Sequence, residues 1–266
     1  MVPSPWGPLP AWLVYPFVVV FGLALGSFAN VLIYRLPREE SLVHPPSRCP
    51  ACGRKIRPIE NIPVVSWIFL RARCRGCGVR ISIRYPLIEL AGGALAAIAV
   101  AIFGVSYASF AYGMLFIALL ALIIIDLETW LLPFAITIPL AIIGLAGAIW
   151  FGLRPLADSL LGMVVGFAVF FLLLVGGKAV FKRDAVGGGD VVFGAMAGIF
   201  LGWKLTLLMI FLASLFGSLV SIPLLILGKS VSGRAIPFGP FLAVALVASL
   251  FTGDMILKWY LHLIGM

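Results

Sequence analysis

Long apolar stretches occupy most of this chain, and they restrict its fold more than any other feature of the sequence. About 20 apolar residues cross the hydrocarbon core of a bilayer as a helix, and a lipid-exposed backbone must be hydrogen-bonded internally. Eight stretches are apparent, at residues 12–34, 86–104, 107–125, 133–151, 157–177, 190–202, 204–227 and 237–262. The sequence therefore predicts an all-α polytopic membrane protein with about eight transmembrane helices. The sixth stretch is short and is bounded by Gly202 and Lys204, so seven or nine helices are alternatives.

The composition agrees with a membrane environment. Hydrophobic residues make up 63% of the 266 residues, charged residues make up 11%, and the mean hydropathy is +1.18. Soluble domains contain about 25% charged and about 45–50% apolar residues, so membrane lipid is the expected surrounding of most of this chain. Residues 1–12 contain no Lys or Arg, whereas a signal peptide begins with a basic segment. We therefore expect the first stretch to be retained as a transmembrane helix.

The basic residues are divided unevenly between the predicted sides of the membrane. The net charge of +9 would suggest a nucleic-acid partner in a soluble protein. Here sixteen of the nineteen Lys and Arg residues lie in alternate loops, at 35–85, 126–132, 178–189 and 228–236. The exceptions are Arg154, Lys204 and Lys258. Because cytoplasmic loops carry such an excess, we expect these loops in the cytoplasm, the N-terminus outside and no nucleic-acid partner.

The loop at 35–85 differs from the other loops in being rich in Arg, Pro and Cys. Loops longer than about 12–15 residues without structure of their own are uncommon, so this loop is expected to be a small folded module. The predicted division is therefore a first transmembrane helix at 1–34, a cytoplasmic cysteine module at 35–85 and a transmembrane core at 86–266.

The four cysteines of the chain all lie in this module, as Cys49, Cys52, Cys74 and Cys77. Two C-x2-C pairs separated by 21 residues can each form a knuckle and together complete a tetrahedral site, which predicts a zinc-ribbon-like module with one structural zinc. Two disulfides are an alternative that a reducing cytoplasm disfavours, and redox dithiols are another. Gly53, Gly76 and Gly78 stand where tight turns are needed, and we expect a short hairpin or wrap between the pairs.

Two of the ten acidic residues lie at helix ends on the predicted cytoplasmic side. Asp126 follows the third stretch and Asp190 begins the sixth. An ionisable group at the membrane boundary is costly unless it is paired or functional, and two neighbouring carboxylates share a proton. Such a pair can activate water and protonate an amide, as in aspartic proteases. The alternative is that each Asp caps a helix or pairs with a base such as Lys182 or Arg183.

Four further residues are candidates for substrate approach or for support of the site. Gly187, Gly188 and Gly189 precede Asp190, and they leave room for an extended substrate backbone and for a non-helical start of the helix. Glu89 lies one turn into the second stretch. A buried carboxylate there is expected either to pair with an Arg or to belong to a polar site.

Short motifs along most of the chain resemble those of the bacterial type IV prepilin peptidases, which are GxGD-type intramembrane aspartic proteases. The motifs lie at residues 26–31 (GSFANV), 34–37 (YRLP), 47–52 (SRCPAC), 61–63 (NIP), 73–77 (RCRGC), 84–86 (RYP), 125–126 (ID), 187–190 (GGGD) and 237–240 (PFGP). Phe134 and Val192 stand where the family usually has Asp and Lys, and these departures bear on substrate range and on the orientation of the site.

The resemblance implies a bifunctional enzyme of the bacterial inner membrane. Such an enzyme removes the short leader of prepilins and pseudopilins on the cytoplasmic side and then N-methylates the new N-terminal residue with S-adenosylmethionine. It also implies that Asp126 and Asp190 form the protease pair and that the cysteine module belongs to the region associated with methyl transfer. The cysteine spacing itself indicates no methyl-donor pocket, and no Gly-rich loop of the Rossmann type is present.

Three other functions remain as alternatives at this point. The first is a peptidase without methyl transfer. The second is a transporter with a zinc-stabilised loop, because transporters also contain carboxylates and glycine breaks within the membrane. The position of the two aspartates at one boundary, and not at the midplane, disfavours it. The third is a scaffold of a secretion machine in which both aspartates only cap helices.

Overall fold

A computed structural model of the chain describes residues 7, 9–181, 187–226 and 236–263, and it is almost entirely helical. The helices are α1 (Ala11–Arg35), α2 (Val65–Phe69), α3 (Arg84–Phe103), α4 (Tyr107–Thr129), α5 (Phe134–Trp150), α6 (Leu156–Phe181), α7 (Gly188–Ile226) and α8 (Gly239–Leu263). Six of them, namely α1, α3, α4, α6, α7 and α8, are long and apolar enough to cross a membrane, and α5 is a shorter apolar helix of 17 residues. The predicted all-α class is therefore confirmed.

All eight predicted apolar stretches coincide with helices, but the sixth and seventh lie together on α7. This helix is interrupted at Gly202, where φ is 73° and ψ is 170°. Such a positive φ is readily adopted only by glycine. The boundary predicted between residues 202 and 204 is thus a real break in the helix.

Contacts on either side of the break show that the chain reverses direction there. Gly189, at the start of α7, packs against Leu132, and Leu132 also packs against Gly239 at the start of α8. Gly217, in the second half of α7, lies beside Phe238 at that same end of α8. A straight helix would separate Gly189 from Gly217 by about 42 Å. The two halves of α7 are therefore antiparallel segments, and the described residues contain eight apolar helical segments, one for each predicted stretch.

The orientation of these helices in a membrane stays a prediction. Several residues that carry the predicted charge bias or could pair with the aspartates lie outside the described residues. They are Lys182, Arg183, Lys229 and Arg234. The basic residues of the loop at 35–85 are all described, and they provide most of the predicted bias.

The chain divides into an N-terminal unit, Met1–Ala121, and a C-terminal unit, Leu122–Met266, with the boundary inside α4. The division at 34 and 85 that the sequence suggests stays a prediction. In the N-terminal unit α1 packs closely on α3, because a Cβ added at Gly22 would lie 2.6 Å from the carbonyl oxygen of Gly92. One turn further along, Gly26 lies against the backbone of Glu89. Small residues permit such close packing of membrane helices.

The C-terminal unit uses the same device between α6 and the first half of α7. Gly162 faces Gly198, and Gly166 faces Gly194, with each backbone carbonyl in direct contact with the opposite glycine. This tight pair fixes the first half of α7, and therefore the position of the residues at its start.

Of the two forms expected for the segment between the cysteine pairs, a short hairpin or a wrap, the hairpin is not observed. The segment contains a 3₁₀ turn at Pro58–Asn61 and the short helix α2. The described residues of the module contain only two isolated antiparallel bridges, one beside each cysteine pair. Pro58 and Pro63 explain the difference, because proline cannot donate a ladder hydrogen bond.

Candidate functional site

The two cysteine pairs form knuckles with the same hydrogen-bond pattern. The N–H of Gly53 donates to the carbonyl of Cys49 and the N–H of Gly78 donates to that of Cys74, both at 2.9 Å. Gly53 and Gly78 have φ values of 70° and 72°, as expected for turn glycines. Gly76 lies in the turn of the second knuckle without a positive φ, and its N–H donates to Cys74 Sγ at 3.4 Å.

The four cysteine sulfurs lie within 4.8 Å of one another. Cys49 Sγ and Cys77 Sγ are 3.9 Å apart, and a tetrahedral ion with metal–sulfur bonds of about 2.3 Å places its ligand sulfurs about 3.8 Å apart. Hydrogen bonds from the N–H groups of Cys77 and Gly76 lower the pKa of the Cys74 thiol to about 6. The thiolate is the form that binds metals, so these residues fit one four-coordinate metal ion.

Glu60 connects the two knuckles, a role that sequence reasoning did not assign to it. Its side chain is buried, and both carboxylate oxygens accept hydrogen bonds from Arg54 Nη2, at 2.8 and 2.9 Å. Arg75 Nη1 of the second knuckle lies 3.7 Å away. The hydrogen bonds from Arg54 and from the N–H of Arg57 lower the pKa of Glu60. The sequence signal that could have indicated this role is that Glu60 is the one acidic residue between the two arginine-rich cysteine pairs.

Arg35 fastens the chain where it leaves α1. Its side chain is buried, and Nη1 donates to the carbonyl of Ser41 at 2.8 Å while Nη2 donates to that of Pro45 at 2.7 Å. Asn30, one turn earlier, donates to the carbonyl of Tyr85 at 3.1 Å. These bonds tie α1 both to the module and to the start of α3.

Glu89 is buried on α3, in the N-terminal unit. Its Oε2 accepts a hydrogen bond of 2.7 Å from the N–H of Val64. Val64 has φ 62° and ψ −49°, an unfavourable conformation for a β-branched residue. Of the two expectations for Glu89, pairing with an Arg is not observed among the described residues. Its surroundings are those of a polar site.

Asp126 lies near the end of α4 and is buried, with 5% of its surface exposed. Its Oδ2 accepts a hydrogen bond of 2.8 Å from the N–H of Gly239. This approach requires glycine, since a Cβ at position 239 would lie 2.6 Å from that oxygen. Gly239 belongs to the motif at 237–240, for which no chemical role was predicted.

Asp190 lies in the first turn of α7 and is partly buried. Its Oδ2 accepts a hydrogen bond of 2.9 Å from the N–H of Gly187, at the position of a helix cap. Gly189 is held closely, because a Cβ there would lie 2.7 Å from the carbonyl oxygen of Leu132. Gly187 and Gly188 are exposed.

Leu132 contacts one glycine beside each aspartate. Its backbone packs against Gly189, next to Asp190, and its side chain packs against Gly239, the donor to Asp126. Leu132 therefore places Asp126 and Asp190 in the same region of the C-terminal unit. Within the described residues the Oδ1 atom of each has no hydrogen-bond partner, so both can take up water or substrate.

Phe134 borders this region. A Cβ at Gly188 would lie 3.9 Å from Phe134 Cζ, and the Phe134 side chain is half exposed. Val192, the other departure noted in the sequence, is partly buried. An apolar ring therefore lies beside the glycines that are expected to receive a substrate.

Two family models match the chain. The Bacterial Peptidase A24 N-terminal domain matches residues 20–103, and the Type IV leader peptidase family matches residues 113–222. The first contains the cysteine module and Glu89, and the second contains Asp126 and Asp190. No solved structure is significantly similar to this chain.

Several relatives carry the name prepilin leader peptidase/N-methyltransferase. The protein of Myxococcus xanthus is 43% identical over 236 residues, which cover 89% of this chain and 68% of that relative. The protein of Aeromonas salmonicida is 35% identical over 95% of this chain and 96% of its own length. The protein of Pseudomonas aeruginosa is 38% identical, with 93% of each chain covered.

Proposed function

Because this chain belongs to the type IV leader peptidase family, we propose that it is a membrane-embedded aspartic endopeptidase with methyltransferase activity. It removes the leader peptide of type IV prepilins or pseudopilins and N-methylates the residue that cleavage exposes. The six long apolar helices and the shorter α5 in the described part of the chain support a multi-pass location in the bacterial inner membrane. The sequence-based orientation, with the cysteine module in the cytoplasm, is part of the proposal.

The observation that carries the peptidase assignment is the arrangement around Asp126 and Asp190. Each carboxylate accepts one backbone hydrogen bond through Oδ2. Leu132 contacts both Gly239, the donor to Asp126, and Gly189, which precedes Asp190. Fixed backbone donors orient a carboxylate without neutralising it. The second oxygen of each side chain is then available for a shared water molecule.

The proposed reaction is hydrolysis of a peptide bond. One carboxylate accepts a proton from water as the water oxygen attacks the carbonyl carbon. The other, protonated carboxyl donates its proton to the amide nitrogen as the C–N bond breaks. The products are a carboxyl group on the leader and a free amine on the mature pilin, so one water is consumed. Assigning the shared proton to one Asp has no meaning in a coupled pair.

The glycines at 187–189 support a site for an extended substrate segment. Gly187 and Gly188 present no side chain and are exposed, so a peptide backbone can approach them closely. We expect the pilin helix to enter from the lipid and to unwind at this position, with its basic leader near the anionic headgroups.

Two bound groups complete the proposal. The four cysteines hold one structural zinc ion, which four thiolates close to further ligands. S-adenosylmethionine supplies the methyl group, so that a C–N bond forms at the new N-terminal amine, the C–S bond breaks, and S-adenosylhomocysteine and one proton are released. The chain's own contribution is to bind the donor and present the amine.

The peptidase assignment is tested with purified full-length protein in detergent and a synthetic prepilin. Asp126→Asn and Asp190→Asn should each abolish cleavage, measured by the mass of the products. Asp254→Asn is the matched control, because Asp254 is an exposed residue of α8. Undiminished cleavage by either active-site variant would refute the mechanism.

The same mass measurement separates the bifunctional enzyme from a peptidase alone. With the methyl donor present, the cleaved pilin should gain one methyl group, about 14 Da, on its N-terminal residue. If cleavage is complete and the product stays unmethylated, the peptidase function is supported and the methyltransferase function is refuted.

A further inference from the structure

A cavity of about 410 Å³ lies within the N-terminal unit, between α1, the cysteine module and α3. Pockets for small-molecule ligands have volumes of about 300–1,000 Å³. The hydrolysis proposed above uses two residues of the C-terminal unit and gives this cavity no role. The charges and aromatic rings of its lining residues therefore indicate which ligand the cavity could bind.

Glu89 lines this cavity and is its unneutralised buried acid. Only 9% of its surface is exposed, and among the described residues its single partner is the N–H of Val64. Glu60 is equally buried and lines the same cavity, but its charge is neutralised by Arg54. Burying a carboxylate without a cation is costly. A positively charged ligand would remove this cost.

The rest of the lining offers groups for an aromatic ring and for a negative charge. Trp67 and Tyr85 border the cavity, and aromatic faces attract cations and stack on nucleobases. Arg48 and Arg80 also border it, and a guanidinium binds a carboxylate through paired hydrogen bonds. Around Glu89 the cavity therefore offers two arginines and two aromatic rings. Its other charged or aromatic lining residues are the paired Arg54 and Glu60, with Tyr34, Arg35, Glu40 and Arg75.

A ligand that matches this lining carries an organic cation, a carboxylate and an aromatic base. S-adenosylmethionine has all three, as a sulfonium and an ammonium, an amino-acid carboxylate and an adenine. We infer that this cavity binds S-adenosylmethionine, with Glu89 as the counter-charge of its cationic end. The inference depends on the proposed methyltransferase function, which requires a donor site that the sequence did not locate.

The first test measures donor affinity by equilibrium dialysis of the full-length, zinc-loaded protein with labelled S-adenosylmethionine. Glu89→Gln should weaken binding by about tenfold or more, because it removes the charge and keeps the shape. Glu39→Gln is the matched control: Glu39 is exposed, lies in the same unit and does not line the cavity. Equal affinity in Glu89→Gln and the wild type would overturn the inference.

The second test locates the donor on the wild-type chain and so does not depend on the folding of a variant. Ultraviolet irradiation with labelled S-adenosylmethionine, followed by peptide mass analysis, should label peptides that contain Trp67 or Tyr85. Labelling confined to residues 122–266 would place the donor elsewhere and overturn the inference. Excess unlabelled donor should suppress the label, which shows that it marks a saturable site.

The outcomes distinguish this inference from the proposed function. Asp126→Asn should lose cleavage and still bind the donor with wild-type affinity. If the wild type methylates cleaved pilin but the label lies outside the cavity, only the site assignment is wrong. If the wild type neither binds the donor nor methylates, the methyltransferase function and the cavity assignment both fail, while cleavage still tests the peptidase function separately.

Discussion

The cysteine module of the N-terminal unit and the aspartate pair of the C-terminal unit hold their polar groups in different ways. In the cysteine module side chains hold side chains: Arg54 binds Glu60, and four thiols converge on one point. In the C-terminal unit the backbone holds Asp126 and Asp190 through the N–H groups of glycines. The first arrangement depends on charge and metal, whereas the second depends on close approach of the main chain. The two sites should therefore fail under different perturbations.

The largest effect is expected from Gly239→Ala. The new Cβ would lie 2.6 Å from Asp126 Oδ2 and would displace the carboxylate, so cleavage should fall by about a hundredfold. Gly217→Ala is the matched control, because its Cβ would make an ordinary contact at 3.6 Å. Rates of prepilin cleavage are compared, together with zinc content, which should not change. A Gly239→Ala enzyme with normal cleavage would contradict this view of the backbone-held site.

Loss of a cysteine should damage the other unit. Cys74→Ser is expected to lower the zinc content from one ion per chain to less than about a tenth, since three ligands hold zinc weakly. Metal analysis by mass spectrometry measures this, and the same preparation is assayed for cleavage. If the units respond independently, cleavage falls much less than zinc content. An equal loss of zinc content and of cleavage would contradict the independence of the two sites.

A weaker effect is expected from Glu60→Gln. This change removes the charge that Arg54 and Arg75 contact, and residues that support metal ligands typically contribute about tenfold to metal affinity. Zinc retention is measured against a competing chelator, with Glu40→Gln as the charge-matched control. Because the hydrogen bond from Arg54 lowers the pKa of Glu60, the ion pair contributes its full stabilisation above the ordinary pKa of a glutamate. This contribution is lost as the pH falls through the lowered pKa. Unchanged zinc retention at neutral pH would contradict the linking role.

The smallest effect is expected at Phe134. Replacing it with Asp places a charge beside Gly188 without touching the donors to the two aspartates. We expect kcat/KM to change by about twofold to tenfold, and by different factors for leaders of different charge. Phe134→Leu, which stays apolar, should leave that preference unaltered. Equal changes for all leaders would indicate that Phe134 does not contact the substrate.

Features set by local sequence could be predicted best. The spacing of Cys49, Cys52, Cys74 and Cys77 dictates two knuckles, and Gly202 marks the break in α7, because in each case neighbouring residues determine the geometry. The aspartates at the helix ends could be identified for a similar reason. A carboxylate at the end of an apolar membrane segment is unusual whatever the tertiary structure of the rest of the chain.

Features that depend on distant partners could not be predicted. The donor to Asp126 comes from Gly239, 113 residues away, and the cavity is built from three separated segments. Apolar residues surround membrane helices on every side, so no periodicity indicates which face packs against which neighbour. The pairing of Glu60 with Arg54 was also missed, since the many arginines of the module offered several equivalent partners.

The backbone conformation of Val64 allows the strain beside Glu89 to be changed by a single substitution. A β-branched residue at φ 62° carries a conformational penalty on the order of 1–3 kcal/mol, whereas glycine would adopt this backbone freely and keep the N–H that Glu89 accepts. Exchange of this one valine for glycine therefore offers a way to relax the loop before α2 without altering a charge or a thiol. Position 64 is thus a suitable site for a substitution intended to increase the stability of this enzyme against unfolding.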